Sequence, residues 1–334
     1  MKFAVTFLGG LALLFVAAAA SLSFGATDIA SREVVAALLG FDPESLDHFL
    51  VLTQRLPRAL IAAYVGAVMA TGGAAMQGLT GNPLASPSTL GVSAGALLGM
   101  LVSVYGFDAG LFVQGLSALA GGFAGFAMTS AVARLTGLGP DPRGLPLILS
   151  GALTGMLLAG LSGALLLTDP ARRAEYLSWL AGNINHFYAD RLAAFWPLGF
   201  VSMLILLALA RPLTLIGLGT ERAAAMGVRV RGVTRAALVA VVIGASSATA
   251  ICGPIAFVGL VVPHLVRPFT GAHLARLLPV SALVGAALCL LSDVLARRAF
   301  APFTLHTGVL LELVGGVCFG VIVYRLYLRP GAAR

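Results

Sequence analysis

The chain has one lysine, Lys2, among its 334 residues. A phosphate-binding loop of the form G-x-x-x-x-G-K-[ST] needs a lysine to reach the β- and γ-phosphates, so ATP hydrolysis by that route is excluded and any ATP must be handled by a partner. Charge of either sign is scarce, at 10% of residues against about 25% in soluble domains, which excludes an ordinary water-soluble enzyme. The three cysteines, Cys252, Cys289 and Cys318, stand singly in apolar segments without C-x-x-C spacing, so neither a disulfide framework nor a structural zinc site is expected. The five histidines, His48, His186, His264, His273 and His306, form no H-x-x-x-H pair. No metal cage and no cofactor are expected.

Apolar residues fill the rest. They make up 59% of the chain, and the mean hydropathy is +0.99. A helix needs about 20 mostly apolar residues to cross the hydrocarbon core, and ten such runs can be marked. They are Ala4–Phe24, Pro57–Leu79, Gly91–Gly106, Leu111–Arg134, Pro146–Thr168, Leu192–Ala210, Ala236–Cys252, Ile255–Val266, Leu277–Leu295 and Gly308–Tyr327. The third and eighth are short. The expected fold is an all-α polytopic membrane protein with about ten transmembrane helices, forming a single transmembrane domain over residues 1–334. The first run also resembles a secretory signal, with Lys2, an apolar middle and small residues at Phe24 to Ala26; its length and the even span count favour retention.

Charge asymmetry orients the bundle. With the amino terminus cytoplasmic, the inner segments hold 13 basic residues against Asp141 and Glu221, or +11. The outer segments hold 8 basic residues against ten acids, or −2, and Glu312 lies within a span. That is the bias expected of cytoplasmic loops, so the net charge of +8 reflects topology rather than nucleic-acid binding. Both termini are then cytoplasmic.

One stretch breaks the apolar pattern. Residues 80–99, TGNPLASPSTLGVSAGALLG, carry two prolines, an asparagine and several hydroxyls between two spans. Irregular backbone at membrane depth persists only where protein buries it or a cavity waters it, and Gly/Pro-interrupted spans point to transport paths. Asn82, Ser86, Ser88, Thr89 and Ser93 can satisfy freed backbone or face a solute. A plain turn followed by a helix packed through Gly91, Gly95 and Gly99 is the other reading, and the two are compatible.

The segments RLPRALIAAYVGAVMATGGAAMQGLTGNPLASPSTLGVSAGALLG, LGTERAAAMGVRVR and GPIAFVGLVVPHLVRPFTGAHLARLLPVSALVGAALCLLSDVLAR closely resemble the permease subunits of bacterial ABC importers for ferric siderophores, haem and cobalamin. The resemblance runs from about Arg55 to the C-terminus. It implies a type II importer permease of ten helices, pairing with a second identical or homologous permease, two cytoplasmic ATPases and an extracytoplasmic substrate-binding protein in the bacterial inner membrane. It also implies that the loop Arg211–Gly232 carries short coupling helices that seat on the ATPase. Leu218, Gly219, Glu221, Arg222, Ala224, Met226 and Gly227 are its candidate contacts, with residues 221–227 forming a short helix stopped by a glycine. A solvated basic loop would explain the arginines but not the apolar Leu215, Ile216, Leu218 and Met226.

On the opposite face, the resemblance implies that Arg55, Arg58 and Arg297 hold acidic residues of the binding protein; lipid-headgroup anchoring is the alternative. Arg172 and Arg173 read as local surface partners of Glu175. The resemblance further implies an inner gate at Asn82 and Leu84, and a second at Arg143, Gly144 and Leu145, where this chain departs from the small hydroxyl residues of the cobalamin member. Another departure is TLHTG, Thr304–Gly308, in place of the Glu-Leu-Pro-x-Gly of many members. Glu312 inside the last span is either a functional group or a polar contact to the second permease. Met69 and Met76, seven apart on one helix face, suit a path for a bulky iron chelate, and ordinary helix packing suits them equally. A ferric siderophore is the expected substrate on family grounds, with haem and cobalamin as alternatives. A proton-coupled carrier or an intramembrane enzyme would want a relay of ionisable residues or paired catalytic groups at membrane depth, and only Glu312, His264 and Asp293 offer anything of the kind.

Overall fold

The computed structural model describes residues 2–25, 27–135, 145–299 and 305–324. All regular elements among them are helical: α1 Lys2–Ser23, α2 Ser31–Leu39, α3 Leu46–Leu50, α4 Leu56–Thr80, α5 Val92–Phe107, α6 Leu111–Leu135, α7 Leu145–Thr168, α8 Pro170–Leu180, α9 Ala189–Ala208, α10 Ala210–Gly217, α11 Thr220–Ala225, α12 Val230–Cys252, α13 Val258–Thr270, α14 Leu274–Arg298 and α15 Thr307–Val323. Each of the ten apolar runs overlaps a helix, with Ile255–Phe257 of the eighth lying in the break before α13 and the last three residues of the tenth outside the described residues. Seven candidate spans are long and apolar enough to cross a membrane, with α5 and α15 as shorter apolar helices. At 13 residues and about 1.5 Å per residue, α13 covers about 20 Å, short of a full crossing.

The helices form a centre and a rim. α4 and α12 are mostly buried, whereas α1, α6, α7 and α9 present most of their apolar side chains outward. In lipid, apolar side chains gain little by leaving one hydrocarbon phase for another, so helices associate through close packing of small residues. The most extensive pairings, α4 with α14 and α5 with α6, follow this rule. A Cβ on Gly66 would meet the carbonyl of Gly285, and one on Gly95 would meet the carbonyl of Gly121. The expected packing role of the glycines opening α5 is therefore observed, with α6 as the neighbour. Hydroxyls within the bundle bond back to their own helices: Thr71, Thr80 and Thr249 donate to carbonyls four residues earlier at 2.7, 2.8 and 2.9 Å.

The regular helix is interrupted at two places. Residues Val51–Arg55 form a π-turn that joins α3 to α4 in one helical rod over Leu46–Thr80; such turns rotate the following side chains. Between α12 and α13 the chain breaks at Gly253–Phe257, where Phe257 takes φ +64°, a strained setting for a bulky residue. A carbonyl freed at the break is met by another segment: the Asn183 amide donates to the Cys252 carbonyl at 3.0 Å.

The α4–α14 crossing should tolerate no side chain. Gly66→Val is expected to destabilise the chain by about 1–3 kcal/mol through overpacking. Gly9→Val, at a position with open space around it, should stay within about 0.5 kcal/mol. Thermal unfolding of the two variants in detergent makes the comparison.

Candidate functional site

The two ends of the rod carry the candidate residues. At its first end the three arginines expected on the outer face come together, and all three turn inward. Arg58 donates through Nε to both carboxylate oxygens of Asp293 at 2.9 Å, with its Nη2 also 2.9 Å from Oδ1. Arg297, one helical turn beyond Asp293 on α14, places Nε 3.1 Å from Oδ2 and donates through Nη2 to the Ser21 carbonyl at 3.1 Å. Arg55 donates to the carbonyls of Leu22, Ser23 and Thr27 at 2.7, 2.7 and 2.6 Å. It thereby caps the C-terminus of α1, whose last turn has no basic residue of its own and whose carbonyls form the negative end of the helix dipole. Thr307 completes the set, its hydroxyl donating to Asp293 Oδ1 at 2.8 Å. Arg58 thus has an acidic partner within the chain, 235 residues away in sequence. Arg55 and Arg297 are 7% and 9% exposed, which removes the lipid-anchor alternative for those two.

Sequence reasoning missed Asp293 as the centre of this cluster. Its spacing from Arg297, four residues along one helix face, was the available signal. Arg58 could not be tied to it without the fold. Arg298, by contrast, pairs on the surface with Asp28 at 3.0 Å; Arg173 donates to the Leu166 carbonyl at 3.0 Å, and the expected pairing with Glu175 falls on side chains outside the described ones.

The loop Arg211–Gly232 folds as two short helices. α10 buries Ala210, Leu213 and Ile216 against α4, α14 and α12, so Ile216 belongs to the core rather than to a partner face. α11 buries Ala223 and ends in paired C-terminal bonds, Gly227 N to Ala224 O at 2.9 Å and Val228 N to Ala223 O at 3.0 Å. This bond pattern needs a left-handed residue after the cap, and Gly227 supplies it at φ +82°. Glu221, Arg222 and Ala224 are exposed. So are Leu218 and Met226, at 62% and 65%, leaving two large apolar side chains at the edge of a basic loop.

The stretch after α4 is a compact turn that uses its own polar groups. Asn82 Oδ1 accepts from the Leu84 amide at 2.9 Å, and Thr80 Oγ1 accepts from the Asn82 amide at 3.2 Å. Ser86 and Thr89 form a reciprocal capping box on a 3-10 turn over Pro87–Leu90. The hydroxyls of Ser86 and Thr89 are thus spent on local backbone rather than offered to a solute. Asn82 and Leu84 remain half-exposed.

Met69 and Met76 are 2% and 0% exposed: they are core residues of the central helix, and ordinary packing accounts for them in place of a path lining. Glu312 lies on an exposed face of α15 with Leu313 and Val317. Arg143 and Gly144 lie outside the described residues, and Leu145 begins α7. Among the described residues no group of His, Cys, Asp or Glu could hold a metal ion.

Replacing Asp293 should expose the cost of the arginine cluster. Asp293→Asn leaves buried guanidinium groups without a carboxylate, and breaking a buried pair costs about 3–5 kcal/mol. Asp28→Asn, at the surface pair, should cost at most about 1 kcal/mol; thermal unfolding reads the difference. His306, just before α15, is held below the ordinary histidine range by partial burial and by Arg58. Below about pH 6.5 the unfolded chain therefore takes up a proton that the folded chain resists, and stability falls with falling pH. His306→Gln should flatten that part of a stability–pH curve.

The profile of the FecCD transport family matches residues 13–325. The Fe(3+)-citrate import system permease protein YfmD of Bacillus subtilis is 34% identical over 295 residues, covering 88% of this chain and 87% of its own length. The Fe(3+) dicitrate transport system permease protein FecD of Escherichia coli is 37% identical over 284 residues, with 84% and 87% covered. The ferric enterobactin transport system permease protein FepD of Escherichia coli is 33% identical over 326 residues, with 97% and 96% covered. Among solved structures, an inward-facing conformation of a metal-chelate type ABC transporter superposes with a TM-score of 0.81 at 29% identity, over 97% of this chain and 100% of that one. The fold is also shared with PsaBC from Streptococcus pneumoniae, at TM-score 0.59 and 18% identity over 90% and 97% of the two chains. The chain belongs to the FecCD transport family.

Proposed function

We propose that this chain is the permease subunit of an ATP-binding-cassette importer that moves a ferric siderophore across the bacterial cytoplasmic membrane, driven by partner ATPases. The observation that carries this reading is the loop Arg211–Gly232 in a chain with family kinship over almost its whole length. It is a compact two-helix unit seated on the central helices, with Leu218 and Met226 exposed beside Arg222 and Arg229. A solvated loop has no use for large exposed apolar side chains, whereas a groove on a partner ATPase does. With this loop cytoplasmic, both termini are cytoplasmic and the arginine cluster lies at the outer face.

At the outer face, where the segments carry a net −2, an acidic residue of a binding protein would be met at contact range rather than by long-range steering, with Arg58, the most accessible of the three arginines, as the contact. Asn82 and Leu84 stand at the inner mouth, and Glu312 faces either the path or a second permease across α15. The relatives named for Fe(3+)-citrate, Fe(3+) dicitrate and ferric enterobactin support an iron chelate as the cargo.

The test is uptake of radiolabelled ferric chelates, haem and cobalamin by a deletion strain carrying this chain with its partners. A ferric siderophore should accumulate in an ATP-dependent manner; accumulation of haem or cobalamin alone would reassign the cargo. Ala224→Glu, at an exposed position on α11, should reduce uptake at least tenfold while leaving the folded chain intact. Undiminished uptake would remove α11 from coupling.

A further inference from the structure

At the second end of the rod, the chain forms a cavity of about 180 Å³, room for roughly six waters. It lies between the C-terminus of α4, the helix α10 and the start of α14, and its polar wall is made by Gln77, Thr214 and Arg267. Gln77 is buried and held from two sides. Its amide nitrogen donates to the Leu260 carbonyl at 3.1 Å, which leaves its Oε1 to accept from Arg267 Nη2 at 3.1 Å. The guanidinium is thereby fixed against the cavity, yet it is incompletely used: its Nε is buried and has no hydrogen-bond partner. Among the described residues no carboxylate lies within ion-pair distance of it. A guanidinium offers five donors and no acceptor, so one neutral amide oxygen leaves both its charge and most of its donors unanswered.

The surroundings reinforce the sign. α14, a helix of 25 residues, begins at Leu274 in the cavity wall, adding the positive end of its dipole. Arg211 and Arg276, in the first turns of α10 and α14, are exposed at the same end. The remaining walls are apolar, with Leu213 and Leu274 inside and Leu218 at the exposed rim. Fixed positive charge beside apolar walls at a membrane edge matches a phosphate group that carries, or lies beside, a hydrocarbon chain; the planar guanidinium is suited to phosphate oxygens.

We propose that this cavity binds a phosphate-bearing anion, with Arg267 as its principal ligand and Gln77 as the residue that positions Arg267. The source is an anionic phospholipid headgroup or free phosphate. Because α10 forms one wall and α4 and α14 the others, the bound anion ties the loop Arg211–Gly232 to the central helices.

The test uses the purified full-length permease, without ATPase or substrate, so its outcome is independent of the transport assignment. Two probes are applied: inorganic phosphate in detergent, and nanodiscs of phosphatidylcholine with or without phosphatidylglycerol, each read by thermal unfolding and by native mass spectrometry of retained ligand. Wild type should bind, and Arg267→Gln should bind at least tenfold more weakly. Ala272→Asp, which keeps Arg267 but places a carboxylate in the cavity wall, should do the same and carries the test if Arg267→Gln fails to fold. Arg211→Gln removes an equal charge outside the cavity, where it only adds to the surrounding field, and should weaken binding by less than about threefold. Stabilisation by both probes identifies phosphate as sufficient, and stabilisation only by phosphatidylglycerol identifies the lipid. The proposal is overturned if wild type responds to neither probe, which includes the case of a cavity reserved for a carboxylate of the ATPase. It is equally overturned if either folded cavity variant binds as wild type does, or if Arg211→Gln weakens binding as much as they do.

Discussion

The burial of α4 governs how everything else in the bundle is arranged. A helix can occupy the middle of a bundle in lipid only if its neighbours approach to backbone contact, because no water-driven force presses them together. α4 meets this condition with Gly66 against Gly285 of α14 and Gly73 against Gly259 of α13. The same helix also touches α9, α10 and α12. The rod it belongs to runs from Leu46 to Thr80 and so connects the two ends of the molecule.

Both ends of that rod carry charge that hydrocarbon cannot solvate. At the first, Arg55 and Arg58 meet the carbonyl end of α1 and the carboxylate of Asp293. At the second, Gln77 holds Arg267 beside a cavity under α10. The two differ in compensation: the first cluster has a buried carboxylate at its centre, and the second has none among the described residues. Buried charge needs a partner or water, and the contrast explains why the arginine cluster reads as structure while the Arg267 cavity reads as a place for something else.

The turn after α4 shows how local chemistry can imitate a binding surface. Its asparagine, serines and threonines looked available to a solute, yet Asn82, Ser86 and Thr89 bond their own backbone, as short polar side chains do in turns. Met69 and Met76 make a similar point, since a flexible thioether serves a path and a core equally well and only burial tells which. The positions of the apolar helices and the basic loop followed from apolar run length and charge alone. The pairing partners did not.

The apolar helices are legible along the chain, because in lipid each apolar run must satisfy its own backbone as a helix, whereas α2, α3 and α8 lie outside the apolar runs and left no such signal. The short helix ended by Gly227 was readable for a local reason, its C-terminal glycine; the four-residue spacing of Asp293 and Arg297 was an equally local signal that went unread. Which way the arginines face is a matter of tertiary packing. The π-turn at Val51–Arg55 lies just before the helix that carries Arg58, and the Arg58 partner comes from a helix more than two hundred residues away. Packing, too, set Arg267 against Gln77 across the α4–α13 contact, since a cavity is a property of how helices cross and has no signature along the chain.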